Sequence, residues 1–394
     1  MRKSQPTQLQ AIAKDAVAWF AKYRRDLPWR NTRDPYRIWI SECMLQQTQV
    51  ATVIPYYERF LIRFPDVQSL AAANLDEVYQ LWAGLGYYRR ARQLHAAARS
   101  VVESGQCPFP LDRDAIAQLP GIGRYTANAV ASFAYDQRCG IVEANTQRLY
   151  ARLLRCKTPL SASSSQKQLW DFAEAIAIAW PLATGQLNQA LMEIGSQVCK
   201  PKSPACDQCP LQKHCLAYRH SETDTIPAPK LKKQITELQE VGLLVYDSKG
   251  RWLLRRRLQT ERWAGLWDFP RYDCTDIPNE GLALDRAAEA FLKLYSKRPA
   301  IAQECVSVKH SVTRYRILLR CYLAQIDGKL TPTSIKSARA NPDKNNAREP
   351  SPEQLGPEQL GQEQIDWYTS EELDQLALSS SARKVADWLK THKP

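Results

Sequence analysis

The chain has 394 residues, 44% of them hydrophobic and 24% charged, with a formal net charge of +13. It is long enough for two domains with cores of their own and too apolar for a wholly disordered chain. No apolar run reaches the roughly 20 residues of a membrane helix and no signal peptide is recognisable, so the expected setting is soluble and cytoplasmic.

Residues 8–220 read as helix after helix. Ala13, Val17, Phe20 and Ala21 recur at helical spacing, as do Ile54, Tyr57, Phe60 and Leu61. Pro55, Pro65, Gly84 and Gly86 read as punctuation between helices. Residues 1–220 carry 27 Lys and Arg against 17 Asp and Glu, while residues 221–394 carry 27 against 24. The first half is therefore the one expected to meet a polyanion.

In the stretch from Trp39 to Gln49, Glu42 is the sole carboxylate. Burial disfavours the charged form, and a raised pKa makes a proton donor near neutral pH. The plainer alternative is a solvent-facing Glu on an amphipathic helix. Gln46, Gln47 and Gln49 follow, with amides able to read base edges or hold an extruded nucleotide. Further on, Leu119 to Thr126 lies between two helical patterns. Gly121 and Gly123 permit a tight hairpin, and the helix that starts there offers free N–H groups to an anion such as a DNA phosphate. An ordinary helix–helix turn is the alternative. Glu143, within Ile141 to Thr146, is a second carboxylate. Two carboxylates flanking a glycosidic bond can protonate the leaving group and stabilise an oxocarbenium-like sugar.

Cys199, Cys206, Cys209 and Cys215 are separated by six, two and five residues. Four thiolates this close can surround one iron–sulfur cluster at small loop-closure cost. A zinc site or two disulfides are the alternatives, but zinc knuckles usually pair two tight turns and only the middle gap here is tight. The other seven cysteines are scattered, as in a reducing compartment.

Past His220 the texture changes. Residues 221–236 read as a polar linker. Val241 to Tyr246, the turn Asp247 to Gly250, and Trp252 to Arg256 predict a hairpin. Val306 to Val308 and Tyr315 to Leu323 add strands, with a helix near 283–296. Residues 331–365 are polar and repeat Pro-Glu-Gln-Leu-Gly, which predicts a disordered insertion. A last helix is expected from Ser380 to Leu389.

Several of these stretches carry a resemblance. Arg25 to Arg30, Met44 to Val50, Leu85 to Tyr88, the hairpin and the four cysteines together resemble the adenine DNA glycosylase family, the MutY type. The likeness is close over 8–220 and weaker over 237–390. It implies a multidomain protein. Residues 1–220 would be an all-α helix-hairpin-helix glycosylase domain with a [4Fe-4S] cluster. Residues 221–236 would be a linker, and 237–394 an α+β NUDIX-like lesion-recognition domain. It implies hydrolytic removal of adenine mispaired with 8-oxoguanine or guanine, by a monomer acting on duplex DNA, with no membrane and no protein partner named. Glu42 would be the catalytic acid, Glu143 the transition-state stabiliser, and Tyr125 and Asn145 their support. Arg30, Leu45, Gln47, Thr48, Tyr87 and Tyr88 would contact or wedge the lesion pair, Gly121 and Gly123 the backbone, and His310 and Thr313 the 8-oxoguanine. The four cysteines would be the cluster ligands.

Two departures stand out. The family has Asp-Gly where this chain has Glu143-Ala144, and the common Phe-Ser-His becomes Val312-Thr313-Arg314. A catalytically weak lesion-binding protein is the reading that follows if Glu143 cannot replace the aspartate. An endonuclease III-like pyrimidine glycosylase is a third, opposed by Tyr125 where that branch has the lysine that attacks C1′. The NUDIX-like helix holds one acid, Glu289, within Arg286 to Ala290, so a binding module is expected rather than a second, magnesium-dependent enzyme.

Overall fold

The computed structural model describes residues 6–105, 107, 109–229, 234–328, 330 and 364–392. The chain divides into two compact units, residues 1–73 with 93–232 and residues 74–92 with 233–394.

Twelve helices are found before residue 220 among the described residues: α1 (Pro6–Tyr23), α2 (Pro35–Leu45), α3 (Val50–Arg63), α4 (Val67–Ala72), α5 (Leu75–Trp82), α6 (Arg89–Glu103), α7 (Arg113–Gln118), α8 (Arg124–Tyr135), α9 (Ala144–Leu154), α10 (Ser163–Ala179), α11 (Thr184–Gln197) and α12 (Leu216–Arg219). Side chains fix many of their starts. Asp34, Asp66 and Asp112 accept from amides in the first turns of α2, α4 and α7, satisfying donors that a helix start leaves orphaned. In α1 the buried stripe is Leu9, Ile12, Ala13, Ala16 and Phe20; Ala21 falls outside it and is exposed. That stripe joins one core with residues of α9, α10 and α11, including Leu149, Tyr150, Phe172, Leu187 and Ile194. Pro55 does not punctuate a connection: it lies inside α3. A proline there forfeits one backbone hydrogen bond, and burial of Val53, Tyr57 and Phe60 carries the helix through.

The stretch over 221–236 is only partly a linker. Ile226 is buried in the core of the first unit, Glu222 pairs with Arg155 and Lys157, and Thr236 already opens a strand.

Among the described residues the second unit holds one sheet of seven strands: β1 (Thr236–Tyr246), β2 (Trp252–Arg256), β3 (Trp267–Asp268), β4 (Arg271–Asp273), β5 (Ala300–Val312), β6 (Tyr315–Gln325) and β7 (Ile365–Tyr368). Their order is β3-β2-β1-β6-β5, with β4 on β1 and β7 on β2. The β1–β6 pair is parallel; the other pairs are antiparallel. Successive residues of β1 face opposite sides, as pleating requires. Val241, Leu243 and Val245 meet Ala287, Phe291 and Tyr295 of α13 (Glu280–Tyr295). Leu244 instead shares a core with Ala382, Val385 and Leu389 of α14 (Ser380–Thr391). Residues 331–363 of the expected insertion lie outside the described residues, and Ile365 belongs to β7. Within this unit Tyr79 stands beside Gly265, and the Tyr88 hydroxyl donates to the Leu378 carbonyl at 3.4 Å.

Candidate active site

From Ile38 to Met44 helix α2 is buried on every side, and Tyr36 before them is buried too, while Arg37 is exposed. The expectation of an apolar helical stretch around Glu42 holds, and its solvent-facing alternative does not, since the residue is 4% exposed. The Tyr125 hydroxyl, from the second position of α8, donates to Glu42 Oε2 at 2.5 Å. Burial drives the Glu42 carboxyl up, the Tyr125 hydrogen bond opposes it, and the charge of Glu143 adds to the rise while that of Arg30 lowers it; the result is about 7. A carboxyl poised there can give and take a proton at neutral pH.

Glu143 sits immediately before α9 and caps it. Its carboxylate accepts from the amides of Asn145 (2.8 Å) and Thr146 (2.9 Å), and the Thr146 hydroxyl accepts from the Glu143 amide at 2.8 Å. That reciprocal pair is a capping box, here with Glu at a position that usually takes a shorter side chain. The extra methylene is absorbed by curling the carboxylate back over the first turn. Burial raises its pKa, and the two amides pull the other way. The Asn145 amide nitrogen Nδ2 also donates to Glu143 at 3.3 Å.

Two residues of this site escape sequence reasoning. Arg148 donates to Asn145 Oδ1 at 2.9 Å, to the Gly195 carbonyl at 2.6 Å and to the Cys199 carbonyl at 2.6 Å. It therefore joins the cysteine loop to the residue that supports Glu143. Glu193, in α11, receives Arg25 and Arg30 at 2.8 and 2.7 Å. Burial works to raise its carboxyl, but the hydrogen bonds of Arg25 and then Arg30 outweigh it and hold it at about 2. Glu193 is the one charged residue in α11, the same signal that marks Glu42. Arg30 thus has its guanidinium on Glu193 and on the Arg25 carbonyl at 3.0 Å.

The remaining sequence-marked residues of this unit lie at two chain reversals. After Leu45 ends α2, Gln47 turns the chain at φ 60° and is exposed, and Thr48 donates its amide to the Leu45 carbonyl at 3.3 Å. A non-glycine in the left-handed region so near a buried acid is a mark of functional strain. Between α7 and α8, Gly121 adopts φ 75°, and a Cβ there would come within 2.5 Å of Gln93. Gly123 precedes α8 with no side-chain cap, and a Cβ on it would meet nothing within 4 Å. The first amides of α8 are therefore left without a side-chain cap.

Cys199, Cys206, Cys209 and Cys215 line one cavity with Leu149, Arg152 and Tyr218. Two short turns, residues 206–208 and 212–214, fold the loop around it. The thiols surround this space rather than converging on a point; no three His, Cys, Asp or Glu side chains among the described residues do so. A cubane needs the wider spacing, and the buried Arg152 guanidinium, 3.2 Å from Cys199 Sγ, offsets the negative charge of four thiolates. The set fits a [4Fe-4S] cluster.

The other unit carries Tyr87, Tyr88, His310 and Thr313. Tyr87 is 47% exposed at φ 51°, with Arg90 5.4 Å over its ring. Tyr88 is buried, edge-on to Tyr79 at 6.0 Å. His310 is half-buried with its ring 5.6 Å from that of Trp263. Thr313 is exposed in the turn between β5 and β6, at φ 52°. On α13, Glu280 is engaged by Arg320 at 3.1 Å and by the Tyr322 hydroxyl at 2.7 Å.

Comparison with known proteins is consistent along the chain. Residues 40–175 match the family model of the HhH-GPD superfamily base excision DNA repair proteins. Residues 199–215 match the iron–sulfur binding domain of endonuclease III, and 241–388 the NUDIX domain. The adenine DNA glycosylase of Mus musculus is 41% identical over 243 residues, 59% of this chain and 47% of the mouse protein. That of Buchnera aphidicola subsp. Schizaphis graminum is 37% identical over 251 residues, 64% of this chain and 71% of that protein. A solved thermostable thymine-DNA glycosylase is similar at 28% identity and a TM-score of 0.48, over 54% of this chain and 98% of that one. The chain spans about half the length of the mammalian relatives it matches. Among the described residues no helix is long and apolar enough to cross a membrane.

Proposed function

The chain belongs to the adenine DNA glycosylase family, and from that membership we propose that it hydrolyses the N-glycosidic bond of adenine mispaired with 8-oxoguanine or guanine in duplex DNA. The observation that carries this reading is the buried Glu42 carboxyl, held near 7 and hydrogen-bonded by Tyr125 at 2.5 Å.

The bond is out of reach inside the stack, so the adenine is extruded. Glu42, protonated, donates to N7 of the base, which leaves as neutral adenine. The sugar cation that forms is stabilised by the Glu143 carboxylate, and water then adds to C1′, its released proton restoring the Glu42 carboxyl. Asn145 and Arg148 hold Glu143 in place. Tyr125 keeps the Glu42 carboxyl oriented and offers no amine, so no imine with the abasic product forms at this position. The cluster, when bound, supplies a rigid cross-link of residues 199–215; Arg148 ties that loop to Asn145 through the Cys199 carbonyl.

DNA enters this reading through the uncapped amides at the start of α8, with Gly121 and Gly123 contacting the backbone. Arg30, Leu45, Gln47, Thr48, Tyr87 and Tyr88 then serve the lesion pair, and His310 and Thr313 serve the damaged guanine. The protein works as a monomer.

Glu42→Gln tests the proposal. The variant keeps affinity for an A:8-oxoguanine duplex and loses base release, because an amide donates no acid proton. Single-turnover excision within about tenfold of wild type, a loss of under 1.4 kcal/mol, would remove Glu42 from the role of acid. Wild-type protein that releases oxidised pyrimidines and no adenine would replace the whole reading.

A further inference from the structure

Residues 139–143 cross the first unit with no strand ladder to take their backbone groups. Side chains from three helices do so instead. Asn188 of α11 donates to the Cys139 carbonyl at 2.9 Å. Asn128 of α8, 1% exposed, donates to the Gly140 carbonyl at 2.6 Å. Glu174 of α10 accepts the Gly140 amide at 3.0 Å. A Cβ at Gly140 would lie 2.2 Å from the Ala173 backbone, so the segment has no room to slide. Glu174 has two further partners: its Oε1 receives Arg124 at 3.1 Å and the Asn128 side-chain amide at 3.4 Å, both from α8. Arg124 is the first residue of α8, more than half exposed, and lies flat against Trp170 at 3.9 Å from the ring centre. One carboxylate thus holds, on its two oxygens, the hairpin helix and the peptide three residues before Glu143.

We propose that Glu174 is a positioning residue that locks the segment carrying Glu143 to the hairpin helix. It rests on the function proposed above. Both Glu143 and Tyr125 depend on this junction, since Tyr125 follows Arg124 on α8. Glu174 touches no reacting atom. It acts by keeping the Glu143 carboxylate at a fixed place relative to Glu42, where a displacement of about 1 Å is costly to rate and indifferent to binding.

Glu174→Gln is the test. It keeps size and one acceptor oxygen and loses the charge that serves its partners. Single-turnover adenine release from an A:8-oxoguanine duplex falls about tenfold or more, with the dissociation constant for the same duplex unchanged. The charged groups facing Glu42 are Glu143 and Arg30, beside the Tyr125 hydroxyl. Glu143 moving away lowers the pH at which activity is lost on the alkaline side, a change that simple loss of folded protein does not produce. Arg124→Gln slows release less, because Gly140 keeps its acceptor, and adds little on top of Glu174→Gln. Amide exchange of residues 139–147, followed by mass spectrometry, reads the lock without any activity and speeds up in Glu174→Gln. A Glu174→Gln protein with wild-type release and wild-type exchange overturns the proposal. So does a fall in rate matched by an equal fall in affinity, which makes Glu174 a DNA-docking residue. Wild-type protein inactive on adenine sinks the proposed function alone, and the exchange measurement then still decides the lock.

Discussion

On the proposed function, a single buried carboxyl sets both the chemistry and a stability cost. Glu42 holds its proton to about 7 in the fold against a usual 4.5. Between those values the native state binds one proton more than the unfolded chain, so wild-type stability falls as pH rises. Glu42→Gln removes the penalty. Its advantage over wild type is flat below about pH 4.5 and widens toward about pH 7, to on the order of 3 kcal/mol. Urea unfolding at about pH 4 and about pH 8 measures this; a gap independent of pH contradicts a carboxyl titrating near neutrality. Glu143 has two duties, cap and carboxylate. Glu143→Ala costs α9 about 1 kcal/mol and adenine release several orders of magnitude. Glu143→Asp keeps a favoured cap, so its unfolding midpoint matches wild type while its excision rate reports where the carboxylate now stands. Equal rates for Ala and wild type would end the two-carboxylate mechanism. Thr313 is a β-branched residue at φ 52°, a conformation that costs of order 1–3 kcal/mol. Thr313→Gly raises the thermal midpoint, and if the turn serves the damaged guanine it also lowers preference for 8-oxoguanine over guanine.

At the scale of elements, the two hairpin glycines separate by what surrounds them. Gly121→Ala meets Gln93 and an unfavourable φ, so it lowers the thermal midpoint and DNA affinity together. Gly123→Ala fits its backbone, φ −93°, and intrudes only on the open space before α8. It leaves stability near wild type and weakens DNA binding; thermal melts beside a binding titration distinguish the two, and equal effects would show that the open space has no occupant. Much of this level is legible in the sequence. Glu42 stands out as the lone carboxylate of an apolar helix, and the 241–256 hairpin by alternation around Asp247 to Gly250. The strands at 267–268, 271–273 and 365–368 are too short to show a period. Glu193 carries the same lone-charge mark as Glu42, but its pairing, like those of Glu174 and Arg148, is silent for another reason. Their partners lie far along the chain, 168 residues away for Arg25 and Glu193, and no local pattern encodes such a pairing. Tyr125 and Asn145 likewise carry no local signal and come only with the family resemblance.

At the scale of the molecule, the two units are interleaved in sequence: residues 74–92 belong with 233–394. Arg256 pairs with Asp76, and the Tyr88 hydroxyl reaches Leu378. Deleting residues 233–394 should therefore speed amide exchange over 74–92 while α9 to α11 stay protected, with discrimination between 8-oxoguanine and guanine falling in the same protein. Uniform protection across 74–92 after the deletion would mean that this segment is held from elsewhere. The interleaving also sets a clock on synthesis. A ribosome adding roughly 5–20 residues per second delivers Tyr79 and Tyr88 tens of seconds before Gly265 and Leu378 emerge to meet them. The amino-terminal half cannot finish folding as it is made, and the nascent chain carries an unmatched aromatic segment for that interval, a natural client for a chaperone at the exit tunnel.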